Sequence, residues 1–127
     1  MKHTPQLLAL GCTLLLSATH ALAAGPAVDD AAKALAQNAG CYTCHTIKHQ
    51  DLKPGQLPIG PAWEDVAAQY KGKPGAADFL TRIVLEGSNP YASHWKNKAA
   101  GIAMPPNAVV ITEAQARQLV YWVLSLK

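Results

Sequence analysis

Apolar residues recur at spacings of three and four in several short segments of this chain, and no segment alternates with the period of two that a half-buried strand requires. Val28, Ala32, Leu35 and Ala39 form a modest stripe that predicts a first helix over about Ala27–Asn38. Asp29 and Asp30 fall in its first turn, where the helix dipole favours negative charge, and Gly40 suits a C-terminal stop. Trp63, Val66 and Tyr70 predict a second helix over about Ala62–Tyr70, ended by Lys71-Gly72-Lys73-Pro74-Gly75. A third is expected over Ala76–Glu86, with Phe79, Leu80, Ile83 and Val84 as its buried face and Gly87 closing it. The last begins at Thr112, where Gln115 completes a capping box. It turns Ala116, Leu119, Val120, Val123 and Leu126 inward, with Trp122 packed beside them. The expected fold class is all-α.

Two stretches escape this pattern. From Ile47 to Pro61, Pro54-Gly55, Pro58 and Gly60-Pro61 break any period and predict a loop. Ser88 to Ile111 is a run of 24 residues with neither helical nor strand spacing. An irregular segment that long in a small domain is usually functional or disordered, and Tyr91, His94, Trp95 and Met104 within it argue for function.

The N-terminus reads differently again. Lys2 and His3 precede an apolar run from Leu7 to Leu16, and Ala21-Leu22-Ala23 supplies a small-x-small cleavage pattern. Residues 1–23 are therefore read as a secretory signal peptide, leaving residues 24–127 as one domain. The apolar run falls short of the roughly 20 residues that span a bilayer. A lipoprotein site at Leu10-Gly11-Cys12 is the rival, and it would leave Leu14-Leu15-Leu16 exposed beside the anchor.

Loss of Lys2 lowers the formal charge from +3 to +2, with no basic run or stripe, so nucleic-acid binding is not expected. Export also changes the meaning of the cysteines. An oxidising compartment would close two nearby thiols into a disulfide unless they were used otherwise.

Their use is suggested by Cys41-Tyr42-Thr43-Cys44-His45, a C-x-x-C-H sequence and the attachment signature of c-type haem. On one helical turn, Cys41, Cys44 and His45 stand at i, i+3 and i+4, so both thiols and the imidazole share a face. Two thioether bonds can form along one porphyrin edge while the imidazole reaches the iron. Tyr42 and Thr43 then point away. A redox dithiol, a disulfide or half a zinc site are the alternatives. The exported chain has no third cysteine for zinc, and no βαβ pattern accompanies the motif.

A second axial ligand would divide an electron carrier from an open-site enzyme or gas binder. Apart from the initiator, Met104 is the only methionine, 59 residues after His45 and followed by Pro105-Pro106-Asn107. Consecutive prolines fix φ and restrict the residue before them, so a weak thioether donor is held with little entropy left to lose. His94 is a rival in the same loop. His49 lies too close to His45 to reach the opposite face, and both histidines are expected to be ordinary solvated side chains. Lys48, Lys53, Lys96 and Lys98 lie in the two irregular stretches, either steering an acidic partner or simply solvated.

These motifs occur with Ile59-Gly60-Pro61-Ala62-Trp63, Asp65-Val66-Ala67-Ala68, Ala103-Met104-Pro105-Pro106-Asn107-Ala108-Val109 and Tyr121-Trp122-Val123-Leu124-Ser125. Together they resemble the small bacterial class I cytochromes c over about Ala27–Lys127. They are closest to single-haem carriers that feed nitrite reductase and related periplasmic enzymes. The resemblance implies four to five short helices wrapped around one covalent haem c, bound by Cys41, Cys44, His45 and Met104, with the last two on the iron. It also implies crossed terminal helices, a Pro61 carbonyl bonded to the His45 ring, Trp95 near a haem propionate and Asn107 near the Met104 sulfur. A periplasmic one-electron carrier is the implied function, with protein donors and acceptors of the nitrite reductase, oxidase or peroxidase type. No stable membrane anchor and a monomeric state are expected. The rivals are a haem enzyme or sensor with a labile Met104, and a fixed subunit of a larger oxidoreductase. The chain is longer than the compact family pattern between His45 and Pro61 and between Ser88 and Met104.

Overall fold

A computed structural model describes residues 26–127 except Asp51 and Pro90. The proposed signal peptide and Cys12 lie outside the described residues. Four helices occur in chain order: α1 (Pro26–Asn38), α2 (Trp63–Tyr70), α3 (Ala76–Glu86) and α4 (Glu113–Ser125). A single 3-10 turn, Cys41–Thr43, sits between α1 and α2. No strand occurs among the described residues.

The helix ends obey local chemistry. Thr112 caps α4 with both halves of the expected capping box, its side chain accepting from the Gln115 N–H while Gln115 reaches back to the Thr112 N–H. At the α1 stop, Gly40 takes φ 75°, a left-handed conformation that glycine adopts without steric cost. Ala62 is the N-cap of α2 rather than its first residue, and Pro26 opens α1.

α4 is the spine, packing on α1, α2 and α3. Its buried residues Ala116, Leu119, Val120, Trp122 and Val123 face a core that includes Ala32, Ala36, Trp63, Val66, Tyr70 and Ile111. Trp63 and Trp122 meet edge to face at 5.1 Å, the kind of aromatic contact that adds about 0.5–1.5 kcal/mol beyond burial. The Trp122 indole N–H donates to the Asp29 carboxylate, which also pairs with Lys33, so α1 and α4 are tied by a polar clasp beside the apolar contact.

Two expected faces are corrected. Val28 is 48% exposed, while the rest of the expected α1 stripe turns inward: Ala32 is buried, Leu35 and Ala39 pack against the core, and Ala36 joins them. On α3 the buried residues are Ala76 and Thr81, with Leu80, Val84 and Leu85 packed against the core from partly exposed positions. Phe79 is 37% exposed and rests on the Tyr70 ring at 5.7 Å. The apolar residues of α3 cover more than one face, and the face turned towards α4 is the one packed into the core. Phe79 and Ile83 stand off that face.

Candidate cofactor site

The Cys41–His45 segment forms one tight turn: the N–H groups of Cys44 and His45 both donate to the Cys41 carbonyl, at 3.3 and 3.1 Å. Cys41, Cys44 and His45 are thus one turn apart, as their spacing requires. Both cysteines are free thiols and partly buried. Burial pushes the Cys41 thiol above its ordinary pKa, opposite to the activated thiolate of a redox dithiol. Tyr42 turns to the other side and packs edge-on against Trp63 at 5.0 Å.

His45 is fixed on three sides. Its Nδ1 lies 2.8 Å from the Pro61 carbonyl oxygen, as the resemblance implies. A carbonyl can only accept, so Nδ1 carries the proton and donates, leaving the Nε2 lone pair for a metal. The ring stacks on Trp63 at 5.8 Å and 15°. Gly60 forms the third wall: a Cβ there would stand 2.8 Å from His45 Cε1 and 3.0 Å from Nδ1. Burial lowers the imidazole pKa despite the opposing Pro61 bond, which favours the neutral, ligating ring. Downstream, the Thr46 and Ile47 carbonyls accept from the Trp63 and Glu64 N–H groups at 2.9 and 3.0 Å. Two of the orphan donors at the start of α2 are thus satisfied by the residues that follow His45.

Met104 is held at the opposite kind of helix end. The Asn107 N–H donates to the Val84 and Leu85 carbonyls, and the Ala108 N–H donates to the Leu85 carbonyl, so this loop satisfies the end of α3. The Asn107 side-chain amide donates to the carbonyls of Val84 at 3.0 Å and Pro105 at 2.9 Å. These bonds make Asn107 an anchor of the loop that carries Met104. Ser88 brackets Met104: the Ser88 N–H donates to the Met104 carbonyl at 3.0 Å, and the Met104 N–H donates to Ser88 Oγ at 3.1 Å. Sequence reasoning missed Ser88, because no motif announces a bond across 16 residues of irregular chain.

The two histidines expected to be solvated both have partners. His94 Nδ1 is hydrogen-bonded to the Tyr70 hydroxyl at 2.9 Å, and His49 Nδ1 lies 2.9 Å from the Asp65 carboxylate. The irregular stretches also touch, through the Ala100 N–H donating to the Pro58 carbonyl at 2.8 Å. Between them and α2 lies a cavity of about 570 Å³ bordered by residues such as Leu52, Leu57, Ala68, Trp95 and Lys98. Cys41, Cys44, His45 and Met104 do not line it, so the chemistry of the site lies elsewhere.

Comparison with known proteins decides the lineage. The cytochrome c family matches residues 30–127. The chain belongs to the cytochrome c family. Cytochrome c-551 of Pseudomonas aeruginosa is 40% identical over 114 residues, covering 90% of this chain and 94% of that protein. Cytochrome c-552 of Hydrogenobacter thermophilus is 37% identical over 94 residues, 73% of this chain and 79% of that one. The crystal structure of Nitrosomonas europaea cytochrome c552 superposes with a TM-score of 0.59 at 34% identity, covering 75% of this chain and 99% of that one. The fold is thus the all-α fold of class I cytochromes c, and the protein is a small c-type electron carrier rather than an enzyme. Membership implies covalently bound haem c. No helix among the described residues is long and apolar enough to cross a membrane.

The residues present suit that cofactor. Two thiols and an imidazole of fixed tautomer share one turn, and the sole methionine of the described chain sits in a bracketed loop. No large side chain among the described residues is fully buried, while Leu57, Ile59, Phe79 and Ile102 are 48%, 47%, 37% and 63% exposed. A chain of this size that leaves so much apolar surface uncovered suits a large apolar disc as part of its core.

Proposed function

We propose that this chain carries one haem c, joined by thioether bonds to Cys41 and Cys44 and ligated by His45 and Met104, and that it shuttles single electrons in the periplasm. The haem would supply a ferrous–ferric couple, and a His–Met ligand pair sets a higher potential than two histidines. The chain's part is positional. Pro61 orients His45 and raises its basicity, Trp63 and Gly60 limit its tilt, and the Met104 loop is tied to α3. The observation that carries this reading is the His45–Pro61 bond one turn from two free thiols, because it leaves the other ring nitrogen available as a ligand. Residues 1–23 fit export followed by cleavage, leaving residues 24–127 as the working domain. Donor and acceptor would be respiratory redox proteins of the nitrite reductase, oxidase or peroxidase type. Lys48, Lys53, Lys96 and Lys98, all exposed, would steer an acidic partner.

Optical spectra of the purified protein in both redox states test the ligand set. Low-spin iron in each state and a near-infrared sulfur-to-iron band in the ferric protein are expected. High-spin iron would sink the carrier reading in favour of an open site. Mass spectrometry of the exported protein should give a chain starting at Ala24 and heavier by one haem. Electron-transfer rates should fall as salt rises, since exposed charges are screened within about 8 Å at physiological ionic strength.

A further inference from the structure

We infer that Ser88 is a positioning residue for the axial methionine, setting how often the Met104 sulfur leaves the iron; the inference rests on the Met104 assignment proposed above.

Met104 gives both of its main-chain polar groups to one residue: its carbonyl accepts from the Ser88 N–H at 3.0 Å and its N–H donates to Ser88 Oγ at 3.1 Å. The first bond needs only a backbone. The second needs a hydroxyl, and it fixes the rotation of the Met104 peptide on the side away from the prolines. Gly87 makes the close approach achievable. A Cβ on Gly87 would fall 2.6 Å from the Met104 carbonyl oxygen and 3.1 Å from the Pro106 nitrogen, and φ is +84° there. Both segments can therefore run close together only with glycine at this position. On the C-terminal side the prolines and Asn107 hold the loop. Among the described residues, Ser88 alone supplies a side-chain bond on the N-terminal side. Both Ser88 and Met104 are partly buried, so water competes for that bond less than at an open surface.

Such a bond changes the balance between ligated and open iron without being part of the electron transfer itself. Losing one net hydrogen bond multiplies the open population by about 2- to 10-fold. In the ferric holoprotein that population is read by imidazole, which binds iron only when the sulfur is off. Ser88→Ala should bind imidazole about 2- to 10-fold more tightly, at concentrations where the protein is fully folded, and Ser88→Thr should return the affinity to the wild-type value. In wild type, the Met104 amide hydrogen should exchange more slowly than those of Ile102 and Ala103, and Ser88→Ala should abolish that protection. The wild-type exchange experiment stands even if the variant fails to fold. Unchanged imidazole affinity in Ser88→Ala, with or without a lower unfolding midpoint, overturns the inference, as does an unprotected Met104 amide in wild type. A wild type that lacks the sulfur-to-iron band overturns the Met104 assignment and this inference together, which separates the two failures.

Discussion

The His45 turn and the Met104 loop solve one problem in opposite ways. Each must hold a side chain steady, and each does so by docking irregular backbone against a helix end. The His45 turn offers carbonyls to the N–H groups that open α2, whereas the Met104 loop offers N–H groups to the carbonyls that close α3. Beyond the docking, the two regions diverge. His45 gains a ring hydrogen bond and an aromatic stack, so its own side chain is immobilised. Around Met104 the hydrogen bonds fall on backbone atoms and neighbours, so they hold the support of the thioether rather than the thioether itself. One side chain is held directly and the other through its support, so with the ligand set proposed above, opening of the iron should begin on the methionine side.

The largest test asks whether either region is stable without the cofactor. Cys41→Ala combined with Cys44→Ala, made without haem, should be largely unfolded, because a domain of this size buries only a modest core and leaves Leu57, Ile59, Phe79 and Ile102 exposed. Native-like helix content by far-ultraviolet circular dichroism would refute this. Met104→Ala comes next. It should abolish the near-infrared band and admit carbon monoxide while the fold survives; Met104→His should stay low-spin at a lower potential. If wild type binds carbon monoxide as readily as Met104→Ala, the methionine side offers the iron no closure and the contrast collapses.

Two glycine substitutions sharpen the contrast further. Gly60→Ala forces a Cβ against the pinned His45 ring, and Gly87→Ala forces one against the Met104 carbonyl. Each should lower stability in chemical denaturation by about 1–3 kcal/mol. Only Gly87→Ala should weaken the sulfur-to-iron band, since it displaces the methionine support.

Changes outside both regions should leave the ligands alone. Thr81 is buried on α3 and its Oγ1 has no hydrogen-bond partner. Thr81→Val keeps the shape and removes the stranded hydroxyl, so it should be neutral or stabilising by up to about 1 kcal/mol, with an unchanged spectrum. The smallest effect is expected at the α1–α4 clasp. Hydrogen bonds from Lys33 and then Trp122 hold the Asp29 carboxyl below its ordinary pKa. A folded-state pKa depressed in this way contributes stability above the unfolded value, and the contribution is lost as pH falls through the folded one. Asp29→Asn should thus flatten the acid limb of a stability-versus-pH curve, and an unchanged limb would mean that the clasp contributes nothing to holding α1 on α4.

Elements specified by neighbours in sequence were legible. α3 lies between glycines at both ends and matches its expected bounds, and the Thr112 cap was readable because its partner is three residues away. The C-x-x-C-H turn was readable for the same reason. Periodicity failed where a helix is apolar on more than one side: nothing local says that Phe79 faces outward while Thr81 is buried. The Met104 support was half legible. Its stiffness came from Pro105-Pro106, but Ser88, Gly87 and Asn107 act through contacts across irregular backbone, for which no spacing rule exists. The same limit hid the partners of His49 and His94, whose contacts depend on how loops fold onto α2.

The bond from Ala100 to Pro58 makes the two irregular stretches a linked pair in any history of changing length. The resemblance implies that both stretches are longer than the compact family pattern, and a main-chain hydrogen bond joins them. A deletion confined to one would remove this bond and leave the other stretch without the partner that holds it. For anyone grafting these loops onto a smaller cytochrome c, the transferable piece is the pair.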